Sequence, residues 1–170
     1  IVVLQEAWRV RQFGDLAEQL ADELGLWAAY ARSNGSLRLL GFEEGSAVLR
    51  RFPIRSAERL SLVPSKSVFE HRIALRVEIE VGDRIETVVG THLANAAPDV
   101  ARSQAESLLL RLEDEPPLII AGDLNLRGDH VIFERFSALG YESLEPGGID
   151  HVLVRENDSW RALWSEVVSD

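Results

Sequence analysis

The sequence contains no cysteine, so neither a disulfide framework nor a thiolate metal site is available to it, and reducing and oxidising compartments are both open. Methionine is absent too, and the first residue, Ile1, already lies inside a strand pattern. The expectation is that flanking residues complete the domain. Long apolar runs are also missing: none approaches the roughly 20 residues that cross a bilayer, and no basic leader precedes an apolar stretch. No transmembrane or targeting segment is expected, and a cytoplasmic location is favoured over secretion. Cations are scarce, with 18 Lys and Arg against 28 Asp and Glu and a formal charge of −10. Because long polyanions are held mainly through Lys and Arg, this balance suits nucleic acid poorly, whereas clustered acids that bind cations would account for part of the excess.

What is present is ordinary globular composition, 46% hydrophobic and 27% charged over 170 residues, which predicts a single domain spanning 1–170 and a monomer. The chain is organised around Leu118-Ile119-Ile120-Ala121-Gly122-Asp123-Leu124-Asn125. Four apolar residues after Pro116-Pro117 are too few for a helix and β-branched at the centre, so they predict a strand buried on both faces. Gly122 permits a tight bend where that strand stops. Asp123 and Asn125, two residues apart, point to the same side of extended backbone. An acid there can hold a metal or take a proton from water, and the amide beside it can donate and accept. Capping of an ordinary turn is the alternative, and the motif alone does not decide.

In chain order, Ile1-Val2-Val3-Leu4 is another buried strand and ends in Gln5-Glu6. Phe13, Leu16, Ala17, Leu20, Ala21 and Leu24 fall on one face of a helix that Gly25 terminates. Asn34-Gly35 predicts a hairpin turn between Leu26–Arg32 and Leu37–Phe42, followed by a strand at Gly45–Leu49. Arg50 and Arg51, in the turn that leaves it, could face a phosphate, but solvation or pairing with the surplus acids is the favoured reading. Alternation over Ile73–Val81 and the return at Ile85–Val89 form a hairpin ending in Gly90-Thr91-His92-Leu93. A lone histidine after a strand is more often structural than catalytic.

A helix opens at Ala97-Pro98-Asp99, a shorter one spans Val131 to Leu139, and Pro146-Gly147-Gly148 turns into a strand at Ile149–Val154 that carries Asp150 near its start. His151 reads as a strand side chain. Trp160–Val168 is a final strand-like segment ending in Ser169-Asp170. The tryptophans Trp8, Trp27, Trp160 and Trp164 are too dispersed for base stacking, so core or subsite packing is expected of them. Many strands, interspersed helices and clear antiparallel hairpins predict mixed sheets layered with helices.

Gln5-Glu6, the Gly45–Ile54 run G-S-A-V-L-R-R-F-P-I, Thr91-His92-Leu93, Gly122-Asp123-Leu124-Asn125, Ile149-Asp150 and Ser169-Asp170 occur in this order over essentially the whole chain. Together they resemble the endonuclease/exonuclease/phosphatase superfamily, the deoxyribonuclease-like metal-dependent phosphoesterases. The resemblance implies an α/β fold in the form of a four-layered sandwich, two mixed β-sheets face to face with helices outside. It also implies a divalent-metal-dependent hydrolase of phosphate esters using Mg²⁺ or Mn²⁺. Such a reaction needs charge stabilisation on the nonbridging oxygens, an in-line water and help for the leaving oxygen. Glu6 is expected as the first metal ligand, and Asp170 joins it by resemblance. Asp123 would orient or deprotonate the water, Asn125 would hold the phosphate or that water, and His92 would donate to a phosphate oxygen.

Two parts of the family pattern are not seen. An Asn in a strand before the glutamate-bearing one would precede Ile1, and the final motif S-D-H stops here at Asp170, so the His that an acid at the Asp150 position would orient is not reached. Flanking residues are expected to supply both. The substrate is a phosphoester, with a small molecule, a lipid headgroup or nucleic acid as possible classes and a small or lipid-derived ester favoured. Phosphodiesterase or nuclease chemistry leads. A phosphomonoesterase of inositol- or lipid-phosphate type and a non-catalytic binding module are the alternatives.

Overall fold

The computed structural model describes residues 1–63, 71–95, 97–144, 147–156, 160 and 162–166. The apolar runs and alternating segments become strands, and the periodic segments become helices. In order these are β1 (Val2–Val10), β2 (Gly14–Asp15), α1 (Leu16–Leu24), β3 (Trp27–Ser36), β4 (Phe42–Arg50), β5 (Ile54–Ser61), β6 (Ile73–Val81), β7 (Arg84–His92), α2 (Pro98–Leu112), β8 (Ile119–Asp123), α3 (Ile132–Ala138), β9 (Tyr141–Ser143) and β10 (Asp150–Arg155).

The strands pair into a four-stranded sheet, β2-β1-β4-β3, and a six-stranded sheet, β5-β6-β7-β8-β10-β9. The smaller is antiparallel throughout, while the larger is mixed because β8 lies parallel to β7, a pairing that α2 permits by carrying the chain back across. Apolar side chains then fix the layering. Ala29, Ala31, Val48, Leu75, Val77 and Val88 fill the space between the sheets, with Val3 and Ile119 at its margin. Ala17 and Ala21 of α1 cover the outer face of the small sheet on Ala7, Ala47 and Leu49. Ala101, Ala105, Leu108 and Leu112 of α2, with Ile132 and Phe136 of α3, cover Val89, Ile120 and Leu153 on the outer face of the large one. Helix, sheet, sheet and helices form the four layers that the motifs imply. No helix among the described residues is long and apolar enough to cross a membrane.

Several local expectations are corrected. The helix starts at Leu16, not Phe13, because Asp15 caps it: Oδ1 accepts from Ala17 N at 2.9 Å and Glu18 N at 3.2 Å, leaving Phe13 outside. Asn34-Gly35 is not a turn. Gly35, at φ 77°, sits in β3, where a Cβ would meet Phe42 O at 2.6 Å, and the chain reverses between Ser36 and Phe42. Arg50 is not solvated, and among the described residues it has no ion-pair partner. It is 1% exposed and staples its turn, with Nε donating to Phe52 O at 2.6 Å and Nη2 to Pro53 O at 2.7 Å. Strands β5 and β9 have no counterpart in the sequence reading: β5 is an exposed edge without alternation, and β9 has three residues. Within Trp160–Val168 the described residues form one bridge and otherwise no strand. The four tryptophans are 37–78% exposed, so none packs in the core.

β1 does not stop at Gln5-Glu6. It bulges there, the register with β4 shifting between Leu4↔Ala47 and Ala7↔Gly45, and Glu6 takes φ 53°. Gly122 answers it across the sheets at φ 141°, where a Cβ would lie 1.9 Å from Thr91 O of the neighbouring strand. Substituting Gly122→Ala therefore pushes β7 and β8 apart. The expected loss is about 2–4 kcal/mol in urea-unfolding stability, and an unchanged midpoint would show the close approach to be unimportant.

Candidate active site

Three neighbouring strands of the large sheet deliver polar residues in one row. His92 ends β7 and is in register with Asp123, which ends β8, and Asp150, which begins β10, is in register with Asp123 from the other side. Register partners on adjacent strands share a face. Here it is the inner one: Asp150 lines a slot with Ile119, Ala121, Val3 and Gln5. The opposing sheet contributes Glu6 from the bulge of β1, where the extra residue redirects the side chain that a regular strand would have turned elsewhere. His92 stands between them. Its Nε2 lies 3.6 Å from Asp123 Oδ2 and its Nδ1 lies 4.0 Å from Glu6 Oε1. Glu6 and Asp123, 86 positions before and 31 positions after His92 in sequence, thus flank its imidazole at the edge of two stacked sheets.

The loop after β8 is held rigidly. Asp123 Oδ1 accepts from Asn125 N at 2.8 Å, Asn125 Nδ2 donates to Leu93 O at 2.9 Å, and Leu93 N donates to Asp123 O at 2.9 Å. Asn125 sits in the left-handed region at φ 51°, which asparagine tolerates better than most residues. One N–H of its amide is committed to Leu93, so its acceptor oxygen and second N–H are the groups with which it could meet a water or phosphate. Gln104 of α2 fixes the next residue, its Oε1 accepting from Ala94 N at 2.9 Å. His151 is a core side chain, 2% exposed, with Nε2 donating to Leu126 O at 2.7 Å and its ring 4.5 Å from that of Phe133.

Sequence reasoning missed Arg72. It is 7% exposed, and its Nη1 donates to His92 Nδ1 at 3.1 Å. A guanidinium has only donors, so Nδ1 is the acceptor and the single proton of a neutral ring sits on Nε2, facing Asp123. Burial lowers the His92 pKa from 6.5, Arg72 lowers it further, and Asp123 and Glu6 oppose them. The net effect keeps the imidazole neutral at pH 7. No local pattern marks Arg72. Only the β6–β7 register, Ala74↔Thr91, brings the residue before β6 beside the end of β7.

Among the described residues no three His, Asp or Glu side chains stand together as a metal-holding group. The donor chemistry nevertheless suits a hard cation, because Mg²⁺ takes one or two carboxylates and fills its other positions with water and phosphate. The Glu6 side chain is 65% exposed beside the half-buried Asp123. Asp170, the other expected ligand, lies outside the described residues.

A sequence model described as the Endonuclease/Exonuclease/phosphatase family matches residues 1–170. Curated proteins yield no match. Among solved structures, an endonuclease/exonuclease/phosphatase from Beutenbergia cavernae aligns at TM-score 0.69 and 19% identity over 91% of this chain, which spans 54% of that protein. The human Nocturnin catalytic domain, with bound sulfate, aligns at 0.70 and 19% over 91% of this chain and 68% of its own. A family protein from Leptotrichia buccalis gives 0.70 and 14%, covering 91% of this chain and 74% of its own. At these identities the likeness is one of fold.

The electrostatics carry a measurable consequence. In metal-free protein the His92 ring titrates by NMR below the usual 6.5, and Arg72→Gln moves the midpoint upward because a neighbouring positive charge is lost. A downward shift would contradict this account of the pair.

Proposed function

The chain belongs to the endonuclease/exonuclease/phosphatase family, and from that premise we propose that it is a divalent-metal-dependent phosphodiesterase that directs water in line at phosphorus. The observation that carries this reading is the His92 imidazole, standing 3.6 Å from Asp123 of one sheet and 4.0 Å from Glu6 of the other. The sulfate in the Nocturnin domain is a tetrahedral oxyanion, the same shape and charge type as a phosphate group.

In this mechanism Asp123 orients the attacking water and takes its proton as the new oxygen–phosphorus bond forms and the bond to the leaving oxygen breaks. Its carboxylate is ready for that role because Asn125 N–H holds Oδ1 and leaves Oδ2 turned to the pocket. His92, neutral and carrying its proton on Nε2, donates to a nonbridging oxygen on which charge develops. Arg72 holds that ring and tautomer from behind. Asn125 steadies the water or the phosphate, and Asp150, next in the row, orients a further donor. Glu6 and Asp170 would hold Mg²⁺ or Mn²⁺, which would supply charge neutralisation at the phosphate.

The reading is tested on DNA, RNA, phospholipid and small chromogenic mono- and diesters with Mg²⁺ or Mn²⁺, with EDTA as control. Hydrolysis of a diester that stops with EDTA and resumes with excess Mg²⁺ is expected. Asp123→Asn lowers turnover by roughly 100- to 10,000-fold while the circular dichroism spectrum is kept. Wild-type turnover in that variant would remove Asp123 from the mechanism, and cleavage of monoesters alone would make the protein a phosphomonoesterase.

A further inference from the structure

A groove of about 710 Å³ opens beside the candidate active site, and Ser33 and Glu44 line both the groove and the crevice that holds Glu6, Arg72 and His92. Its outer wall is the β3–β4 turn. There Leu39 is 82% exposed, Leu40 70% and Phe42 41%, although the turn itself is held by polar groups, with Ser36 O accepting from Leu40 N at 2.8 Å and Ser36 Oγ from Leu39 N at 3.3 Å. The fold therefore does not require these apolar side chains. Consecutive leucines in water beside a polar centre mark a contact surface. On the other wall Arg59 is held by two hydrogen bonds, Nε to Arg32 O at 2.8 Å and Nη1 to Ser61 Oγ at 2.7 Å, which presents its guanidinium to the groove beside Arg32.

We infer that this groove binds the apolar substituent of an amphiphilic phosphoester, the aliphatic part lying on Leu39, Leu40 and Phe42 while the anionic end passes Arg32 and Arg59 toward His92. The inference rests on the phosphoesterase reading and narrows its substrate class. Two features favour an aliphatic occupant over a nucleic-acid strand. Among the described residues the groove offers two leucines and the separate rings of Phe42 and His71, too little for successive bases to stack on, and the chain as a whole carries a formal charge of −10. Adjacency to the candidate active site sets the orientation, since Ser33 and Glu44 of the groove also pack beside Glu6 and His92.

The test uses two diesters that differ only in one substituent, decyl 4-nitrophenyl phosphate and methyl 4-nitrophenyl phosphate, with Mg²⁺ and below the concentration at which the decyl ester aggregates. Wild-type protein is expected to prefer the decyl ester in kcat/KM by about tenfold or more, since each methylene removed from water adds to binding. The ratio falls toward one in Leu39→Asp and Leu40→Asp, but not in Leu110→Asp, a control on the exposed face of α2 where Leu110 is 66% exposed. An equal rate for the two diesters, or a ratio unmoved by the turn variants, overturns the inference while leaving the activity standing. If neither diester is cleaved, the activity reading fails, and calorimetric titration with decyl phosphate against methyl phosphate decides the groove by itself. Tighter binding of decyl phosphate that is lost in Leu40→Asp supports the groove, and equal binding ends the inference. An oligothymidylate that displaces decyl phosphate from wild type and binds more weakly to Leu40→Asp would reassign the groove to nucleic acid.

Discussion

Face-to-face packing of the two sheets is the constraint on which everything else depends. Val48, Val88 and Leu75 are at most 1% exposed in the layer between them, and each such side chain contributes about 1.5–3 kcal/mol by leaving water. That layer sets the separation of β1 from β7 and β8. The candidate active site exists only because this separation puts Glu6 within 4.0 Å of an imidazole on the other sheet. The apolar interior and the polar edge are one arrangement: the layer that excludes water along most of the interface ends where the strands end, and there His92, Asp123 and Asp150 come into register.

Gathering acids at such an edge is unfavourable unless they are held and compensated. Compensation is visible in the hydrogen bonds. Asp123 takes a backbone N–H from Asn125, and Arg72 supplies a positive charge against His92 just behind the acids. Backbone strain lies in the same place: among the described residues, Glu6 and Asn125 are the two non-glycine residues with positive φ, at 53° and 51°. Residues in this region cost of order 1–3 kcal/mol and persist only where the surrounding structure holds them. Here two ladders hold them, the bulged β1–β4 pair and the clipped loop after β8, so the side chains they carry are fixed in direction as well as position.

Which elements are legible in the sequence follows from locality. Strong periodicity gave α1, α2 and β6, and an unbroken apolar run gave β8, covered on both faces, because burial writes itself into residue spacing. The edge strand β5 faces water along most of its length and leaves no such trace. Asn34-Gly35 misled because the same residues that suit a tight turn also suit a bulged strand, and pairing with β4 chose the second. Arg50 and Arg72 look like surface cations in sequence, yet both are buried, Arg50 against carbonyls of its own turn and Arg72 against an imidazole on a neighbouring strand.

By itself the sequence determined the family, the alternation of strands and helices, and the candidate residues Glu6, His92, Asp123, Asn125 and Asp150, because these sit in short motifs whose local chemistry is distinctive. Tertiary structure alone decided that Glu6 stands on a bulge and not at a strand end, that Arg72 holds the imidazole from behind, and that an apolar turn flanks the pocket. The physical reason is distance along the chain. Each of these facts is a contact between segments brought together by packing, and no residue spacing encodes a contact whose two halves lie on different strands.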